Sequence, residues 1–203
     1  MWTNEAPALV LASASPRRLQ LLEQLQIPVQ QLSLPAQADD EPRLGNEMVV
    51  DYVTRTARDK LQRALEHWAN TYPNDQAPPV LAADTTVAIG QTILGKPLDA
   101  ADAKQILTQL AGHTHDVYTA VVLHHNEQRY ETLAHTKVEF TEQFAHCIDQ
   151  YIETQEPFGK AGAYAIQGVA AAYISKVQGS YSGVVGLPLY ETAQLLRAAG
   201  LFK

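Results

Sequence analysis

Residues 8–18 read ALVLASASPRR and join a short apolar run to a helical pattern. The apolar side chains that follow recur at helical spacing, at Leu19, Leu21, Leu22 and Leu25. This arrangement predicts Ser15 at the helix N-cap and Pro16 at the first helical position. A short buried strand therefore ends where a helix begins.

Arg17 and Arg18 place two positive charges in the first turn of that helix. The helix dipole favours negative charge at an N-terminus, so adjacent cations there indicate that an anion completes the site. Phosphate is the anion that this pattern favours.

The composition indicates a folded protein without a broad basic surface. The chain has 203 residues, 46% hydrophobic and 18% charged, and we expect one domain, residues 1–203, built of two closely joined lobes. The net charge of -7 argues against binding nucleic acid polymers or anionic membranes, since both need an extended basic surface. No basic leader and no run of about 18 apolar residues occurs, so we expect a cytoplasmic protein.

Helical and strand patterns alternate along the rest of the chain. We expect a long amphipathic helix over 47–69 and a linker over 71–79. A buried strand over 80–89 and a short strand over 92–94 form a hairpin. The other predicted elements are helices over 99–110, 141–154 and 189–199, strands over 117–124, 129–140 and 171–177, and a loop over 179–186. This mixture indicates α/β layers.

Asp84 is the most unusual titratable residue, because it lies inside the apolar run 80–89. A carboxylate in such a strand must be hydrogen-bonded, paired, metal-bound or protonated. A structural aspartate bonded to a neighbouring loop and a catalytic or metal-binding aspartate are both compatible with this pattern.

Two lysines are weaker candidates when considered alone. The turn at Gly90-Gln91 would bring Lys96 towards the first strand of the hairpin, although a solvated lysine before a proline is the simpler interpretation. Lys60 lies among other charges on the long helix and would by itself be expected to face solvent.

Two clusters have the chemistry of metal ligands. Asp39, Asp40 and Glu41 form either a solvated turn or a ligand set for a hard cation such as magnesium. His113 and His115 lack a cysteine pair or a third ligand motif, so we interpret the histidines as structural or surface residues.

The common nucleotide-binding motifs are missing from the sequence. It has no glycine-rich loop that ends in Gly-Lys-Ser/Thr, and no Gly-x-Gly-x-x-Gly fingerprint follows a strand. A phosphate ligand would therefore bind at the Ser-x-Ser-Pro-Arg-Arg turn itself.

Four sequence blocks resemble the Maf family of nucleoside triphosphate pyrophosphatases, and more closely its dTTP/UTP pyrophosphatase branch. They are residues 11–18 with 21–22, residues 83–85 with 93–97, residues 160–168, and residues 179–181 with 184–189. One Ser-Pro-Arg-Arg match would be weak, but four blocks in family order argue strongly against chance. The resemblance implies an ITPase-like architecture, with an elongated mixed sheet flanked by helices and a cleft between two lobes.

The resemblance also implies hydrolysis of dTTP or UTP between the α and β phosphates, giving the monophosphate and pyrophosphate. A divalent cation, Mg²⁺ or Mn²⁺, would be required, and Asp84 would accept a proton. The residues that the resemblance associates with base selection are Arg17, Thr85 and Gln167. Those that it places at the phosphate groups are Ser13, Arg18, Lys60 and Lys96. Those that it places at the metal are Asp84 and Asp40.

Asp40 departs from the family pattern, since many relatives have Asp-Glu where this chain has Asp39-Asp40. Its side chain is one methylene shorter than that of glutamate, and Glu41 is the alternative ligand. The resemblance further suggests a homodimer, action on modified pyrimidine nucleotides that keeps them out of nucleic acids, and a role in cell division arrest.

Two other functions are open at this stage. A pyrophosphatase selective for 7-methyl-GTP is disfavoured by Thr85 and Gln167. A nucleotide-binding regulator of division would not need Asp84 together with Lys60 and Lys96, because binding alone requires no base.

Overall fold

The computed structural model describes residues 1–3, 6–34 and 43–203. In this part of the chain the strands are β1 (Leu9–Ala12), β2 (Val29–Leu32), β3 (Val80–Ile89), β4 (Thr92–Leu94), β5 (Thr114–His125), β6 (Gln128–Phe140) and β7 (Ile174–Gln178). The α-helices are α1 (Pro16–Gln24), α2 (Val49–Thr71), α3 (Ala100–Leu110), α4 (Ile148–Glu153), α5 (Tyr181–Val185) and α6 (Leu189–Ala198). Short 3-10 helices cover Glu142–His146, Ala161–Ala163 and Val169–Tyr173.

The strands form one mixed sheet in the order β2-β1-β3-β5-β6-β7, and β4 pairs with the far end of β3. β1 is parallel to both β2 and β3, whereas β3, β5, β6 and β7 are successively antiparallel. The α/β class with a mixed central sheet flanked by helices is therefore confirmed.

β3 is buried on both faces because helices cover each side of the sheet. Val80 and Ala82 pack with α2 in one hydrophobic cluster, and Leu81 and Ala83 belong to a second cluster that includes α1, α3 and α6. Side chains alternate between the faces of a strand, so Asp84 continues the row that faces α2.

One edge of β3 has a gap in its pairing. β1 pairs there with Val80 and Leu81, and β4 pairs with residues 87–89. Among the described residues no strand pairs with this edge between those two contacts. The turn after β1 and the chain after β4 both lie beside the gap, which brings their side chains towards Asp84.

Most of the predicted elements are confirmed, including Ser15 at the N-cap and Pro16 at the start of α1. The predicted loop over 179–186 is wrong, since it contains α5, which the Ser180 hydroxyl caps by accepting from the Gly183 amide at 3.0 Å. The predicted helix over 141–154 is divided at Cys147, whose backbone is not helical, into a 3-10 helix and α4.

The last strand begins later than the sequence predicts, at Ile174 instead of residue 171. The preceding residues form the 3-10 helix Val169–Tyr173. The Glu156 carboxylate accepts hydrogen bonds from the Val169 and Ala170 amides, so these donors are held away from a strand ladder.

Candidate active site

The gap beside β3 opens into a cavity of about 590 Å³. The turn after β1, the middle of β3, the end of β4 and the segment 159–167 form its walls. Eight residues that the sequence proposes for substrate or catalysis all line it: Ser13, Arg17, Arg18, Lys60, Asp84, Thr85, Lys96 and Gln167. The remaining proposed ligand, Asp40, lies outside the described residues together with Asp39 and Glu41.

The Asp84 carboxylate is paired with the ammonium group of Lys60. Asp84 Oδ1 lies 2.5 Å from Lys60 Nζ, and the two side chains are 5% and 19% exposed. The Thr86 hydroxyl donates to Asp84 Oδ2 at 3.3 Å. Lys60 thus does not simply face solvent, as its neighbours in the sequence would indicate, because α2 packs over the face of β3 that carries Asp84.

The environment of Asp84 keeps it ionised at neutral pH. Burial is the largest single influence on the pKa of this carboxyl and raises it. The positive charges of Lys60 and Arg18, with the hydrogen bond from Lys60, together outweigh burial and hold the pKa of Asp84 below its ordinary value. The carboxylate is therefore a negative charge that lies close to the positive charges of Lys60 and Arg18.

Arg18 ties the β1–α1 turn to the end of α5. Its guanidinium donates to the Gly186 carbonyl at 2.8 Å and to the Ser13 and Thr85 hydroxyls, each at 3.3 Å. Arg17 donates from Nε to the Val185 carbonyl at 3.3 Å. Carbonyls at a helix C-terminus lack intrahelical partners and attract cations. An anionic ligand is therefore not the sole reason for two arginines at the start of α1.

Thr85 is engaged with protein groups on the side of β3 opposite Asp84. Its hydroxyl lies 3.0 Å from the Thr119 hydroxyl, directly across the β3–β5 ladder, and accepts from Arg18. Any effect of Thr85 on base selection would therefore involve the placement of Arg18 as well as direct contact.

Three polar groups on the cavity wall have unused hydrogen-bonding capacity. The Nη atoms of Arg17, the Lys96 ammonium and the Gln167 side-chain amide make no hydrogen bond to any residue that the structure describes. Lys96 follows β4 directly, so the β3–β4 hairpin brings it to the same cavity as Asp84. These groups can turn their donors and acceptors to a ligand.

Two further cations line the cavity that neither the sequence patterns nor the family resemblance indicated. Lys160 lies on its wall, and burial together with the nearby charge of Arg17 lowers the pKa of Lys160. Arg63 lines it as well, three residues after Lys60 on α2. Residues three apart lie on one face of a helix, so the spacing of Arg63 from Lys60 could have indicated that both face the cavity.

The two histidines of the 113–115 pair lie in different environments, His113 exposed and His115 buried. His115 is 1% exposed, and its Nε2 lies 2.8 Å from the Tyr164 hydroxyl. Burial lowers the pKa of His115 to about 4, so the ring is neutral at pH 7. Within the described ranges no three His, Cys, Asp or Glu side chains are grouped so that they could hold a metal ion.

None of the helices in the described part of the chain has the length and apolar character needed to cross a bilayer.

Comparison with known proteins gives a consistent match over nearly the whole chain. Residues 8–199 match the family described as Maf-like protein. A Bordetella avium protein named dTTP/UTP pyrophosphatase is 50% identical over 199 residues, covering 98% of this chain and 98% of its own. A Polaromonas protein with the same name is 51% identical over 201 residues, covering 97% and 98%, and a Bordetella pertussis protein so named is 47% identical over 200 residues, covering 97% and 95%.

Replacing Lys60 tests the ion pair. Lys60→Met leaves the buried Asp84 carboxylate without its nearest cation, so the free energy of unfolding at pH 7 should fall by about 2 kcal/mol. The lowered pKa of Asp84 means that the wild-type pair stabilises the fold above the unfolded-state value of about 4 and that this contribution is lost as pH falls through the folded-state pKa. In the variant, acid protonates the Asp84 carboxylate, which removes the free-energy cost of burying its unpaired charge. The difference between the two proteins should therefore shrink from pH 7 to pH 4, as measured by urea unfolding.

Lys104→Met is the matched control, because it breaks an ion pair with Asp149 whose two side chains are 55% and 73% exposed. Exposed pairs contribute less than about 1 kcal/mol. Equal losses in the two variants, or a loss for Lys60→Met that does not change with pH, would contradict the assignment.

Proposed function

Because the chain belongs to the Maf family, we propose that it is a nucleoside triphosphate pyrophosphatase that hydrolyses dTTP and UTP to the monophosphate and pyrophosphate. The observation that carries the proposal is the Lys60–Asp84 pair inside a cavity lined by further cations. The names of the full-length relatives support the substrate assignment.

The triphosphate would bind along the cationic wall of the cavity. Arg18, Lys60 and Lys96 supply positive charge, and charge-assisted hydrogen bonds to phosphate are stronger than neutral ones. The Ser13 hydroxyl and the start of α1 line the same wall and would add donors, since amides at a helix N-terminus favour anions.

Lys60 would be shared between Asp84 and the substrate. An ammonium group has three donors, so it can contact a phosphate oxygen while it still lies near the carboxylate. The incoming negative charge would draw Lys60 away from Asp84 and raise the pKa of the carboxyl. Substrate binding would thereby make Asp84 a stronger base at the moment when one is needed.

Asp84 would then accept the proton of the water that attacks the α phosphorus. The bond between the α phosphorus and the bridging oxygen breaks, and pyrophosphate leaves. Positive charge from Arg18 and Lys96 would offset the negative charge that develops on the leaving oxygens. This electrostatic stabilisation would lower the free energy of the transition state.

A divalent cation fits the chemistry of the donors present, and we propose Mg²⁺ or Mn²⁺. Mg²⁺ is commonly held by one or two carboxylates together with substrate phosphates, so a single described carboxylate, Asp84, is compatible with it. Asp40 is the second ligand that we propose. Such a cation, when bound, supplies a water of lowered pKa and neutralises phosphate charge.

Base selection would depend on Gln167, with Arg17 and Thr85 beside it. Uracil and thymine present an imide N–H flanked by two carbonyls, and a side-chain amide can accept from the first and donate to one of the others. Cytosine presents a different order of donors and acceptors. Gln167 is exposed in the structure. A bound base that covered its amide and left it mispaired would cost about 1–3 kcal/mol, which corresponds to at least roughly tenfold discrimination.

We further propose that the enzyme acts in the cytoplasm, where nucleoside triphosphates are available, and that it is a homodimer. Hydrolysis of modified pyrimidine nucleotides and a role in division arrest stay predictions from the family resemblance. We favour dTTP and UTP over 7-methyl-GTP because relatives that match over nearly their full length are named dTTP/UTP pyrophosphatase.

Product analysis tests the proposed bond cleavage. UTP incubated with the protein and Mg²⁺ or Mn²⁺ should give UMP and pyrophosphate in equal amounts, measured by anion-exchange chromatography. CTP and 7-methyl-GTP run in parallel should be hydrolysed at least tenfold more slowly. Release of orthophosphate with UDP would show cleavage of a different bond and overturn the proposal.

Asp84→Asn tests the base assignment. The amide keeps the shape of the side chain but cannot take up a proton, so we expect kcat for UTP to fall by about 10²–10⁴-fold with little change in UTP binding. Asp149→Asn, an exposed position on α4, is the control and should leave kcat unchanged. Undiminished turnover in Asp84→Asn would remove Asp84 from this role.

A further inference from the structure

Glu156 is a hydrogen-bonding centre behind the wall of the cavity that carries Gln167. Its carboxylate accepts from the Tyr151 hydroxyl at 2.7 Å, from the Val169 amide at 2.9 Å and from the Ala170 amide at 3.4 Å. None of these residues lines the cavity itself. The carboxylate thus joins the end of α4 to the chain that follows Gln167.

The Tyr151 hydroxyl extends this centre to the other side of Gln167. It accepts from the Ala165 amide at 3.3 Å while it donates to Glu156. Burial and the hydrogen bond to Glu156 raise the pKa of Tyr151, so the phenol keeps its proton and remains the donor. Both flanks of Gln167 are therefore fixed by one connected pair of side chains.

Gln167 itself lies in a tight turn between these two anchors. The turn is closed by the Gly168 amide, which donates to the Ala165 carbonyl at 3.1 Å. A Cβ at Gly168 would lie 2.0 Å from Glu156 Oε2, so a larger residue here would displace the carboxylate from its present position. The turn therefore packs directly against the Glu156 carboxylate.

The first half of the same segment has a separate anchor. Gly162 donates from its amide to the Gly95 carbonyl at 3.0 Å and packs against Val87, where a Cβ would be 2.8 Å from Cγ1. The start of the segment is thus fixed to the β3–β4 hairpin without Glu156. Loss of Glu156 would release the Gln167 turn and leave the hairpin in place.

We propose that Glu156 is a positioning residue for base selection, which holds the Gln167 amide at the depth and angle needed to pair with the uracil or thymine edge. This inference rests on the proposed function. Glu156 does not line the cavity, and it acts through the backbone on both sides of Gln167. A carboxylate suits this role because its oxygens accept hydrogen bonds, and three donors point at them.

Glu156→Gln is the informative substitution. The shape is kept, but one oxygen becomes an amide nitrogen that cannot accept. Either the bonds from Tyr151 and Ala170 to Oε1 or the bond from Val169 to Oε2 are then lost. We expect the ratio of kcat/KM for UTP to that for CTP to fall about fivefold to tenfold, mainly through a higher KM for UTP, with kcat within about threefold of wild type. Tyr151→Phe removes only the hydroxyl and should shift the ratio in the same direction, by about threefold.

A double-variant test separates positioning from general damage to the fold. If Glu156 acts through Gln167, adding Glu156→Gln to Gln167→Ala should lower the UTP/CTP ratio by less than twofold beyond Gln167→Ala alone. Glu153→Gln makes the same chemical change at an exposed position on α4 and should leave the ratio unchanged. Pyrophosphate release gives the rates for all variants.

Each outcome decides between the proposals. Absence of pyrophosphate release from UTP by the wild type would overturn the proposed function itself. A wild type and Gln167→Ala that behave as expected, with an unchanged ratio in Glu156→Gln, would overturn the positioning role alone. Equal losses for UTP and CTP would also overturn it, since they would indicate a structural effect. If Glu156→Gln does not fold, Tyr151→Phe carries the same test.

Discussion

A carboxylate in the middle of a buried strand requires a cation beside it, and this requirement joins the two central elements of the molecule. Asp84 lies on the face of β3 that α2 covers, and Lys60 reaches it from α2 at 2.5 Å. The pair is buried enough that either partner without the other would be costly. The position of α2 across the sheet and the chemistry of the cavity therefore depend on the same contact.

The gap in the pairing of β3 explains why residues from distant parts of the chain meet at this pair. β1 ends before it reaches the level of Asp84, and β4 begins beyond it. The turn that carries Ser13 and Arg18 enters from one side, and Lys96 enters from the other. The guanidinium groups of Arg17 and Arg18 then hold the carbonyls at the end of α5, which closes the cavity with a segment 168 residues further along the chain.

Local patterns predicted those parts of the fold that local physics decides. Ser15 and Pro16 after β1, the Gly90-Gln91 turn and the predicted helix start at residue 99 all gave correct boundaries, because each signal acts over a few residues. The predicted loop over 179–186 was wrong because its three glycines and two serines are typical of a loop. The helix there is stabilised by the Ser180 cap and by contacts with the arginines.

The sequence and the family resemblance predicted which residues line the cavity, but not which of them pair with one another. The family resemblance placed Lys60 at the phosphates, but a sequence cannot show that the same ammonium already neutralises Asp84, since that depends on how α2 packs on the sheet. Glu156 gave no signal at all, because its importance comes from three donors that only the fold brings together. Lys160 stood in a recognised block, yet its place on the cavity wall depends on the contact between the start of that block and the β3–β4 hairpin.

Lys60 is expected to contact both Asp84 and the triphosphate. This can be observed in a crystal structure of the protein with a UTP analogue whose α,β-bridging oxygen is replaced by methylene. A phosphate oxygen should lie within about 3 Å of Lys60 Nζ, the usual hydrogen-bond distance, with the Asp84 carboxylate facing the α phosphorus. A triphosphate bound elsewhere, with Lys60 in contact with Asp84 alone, would contradict it.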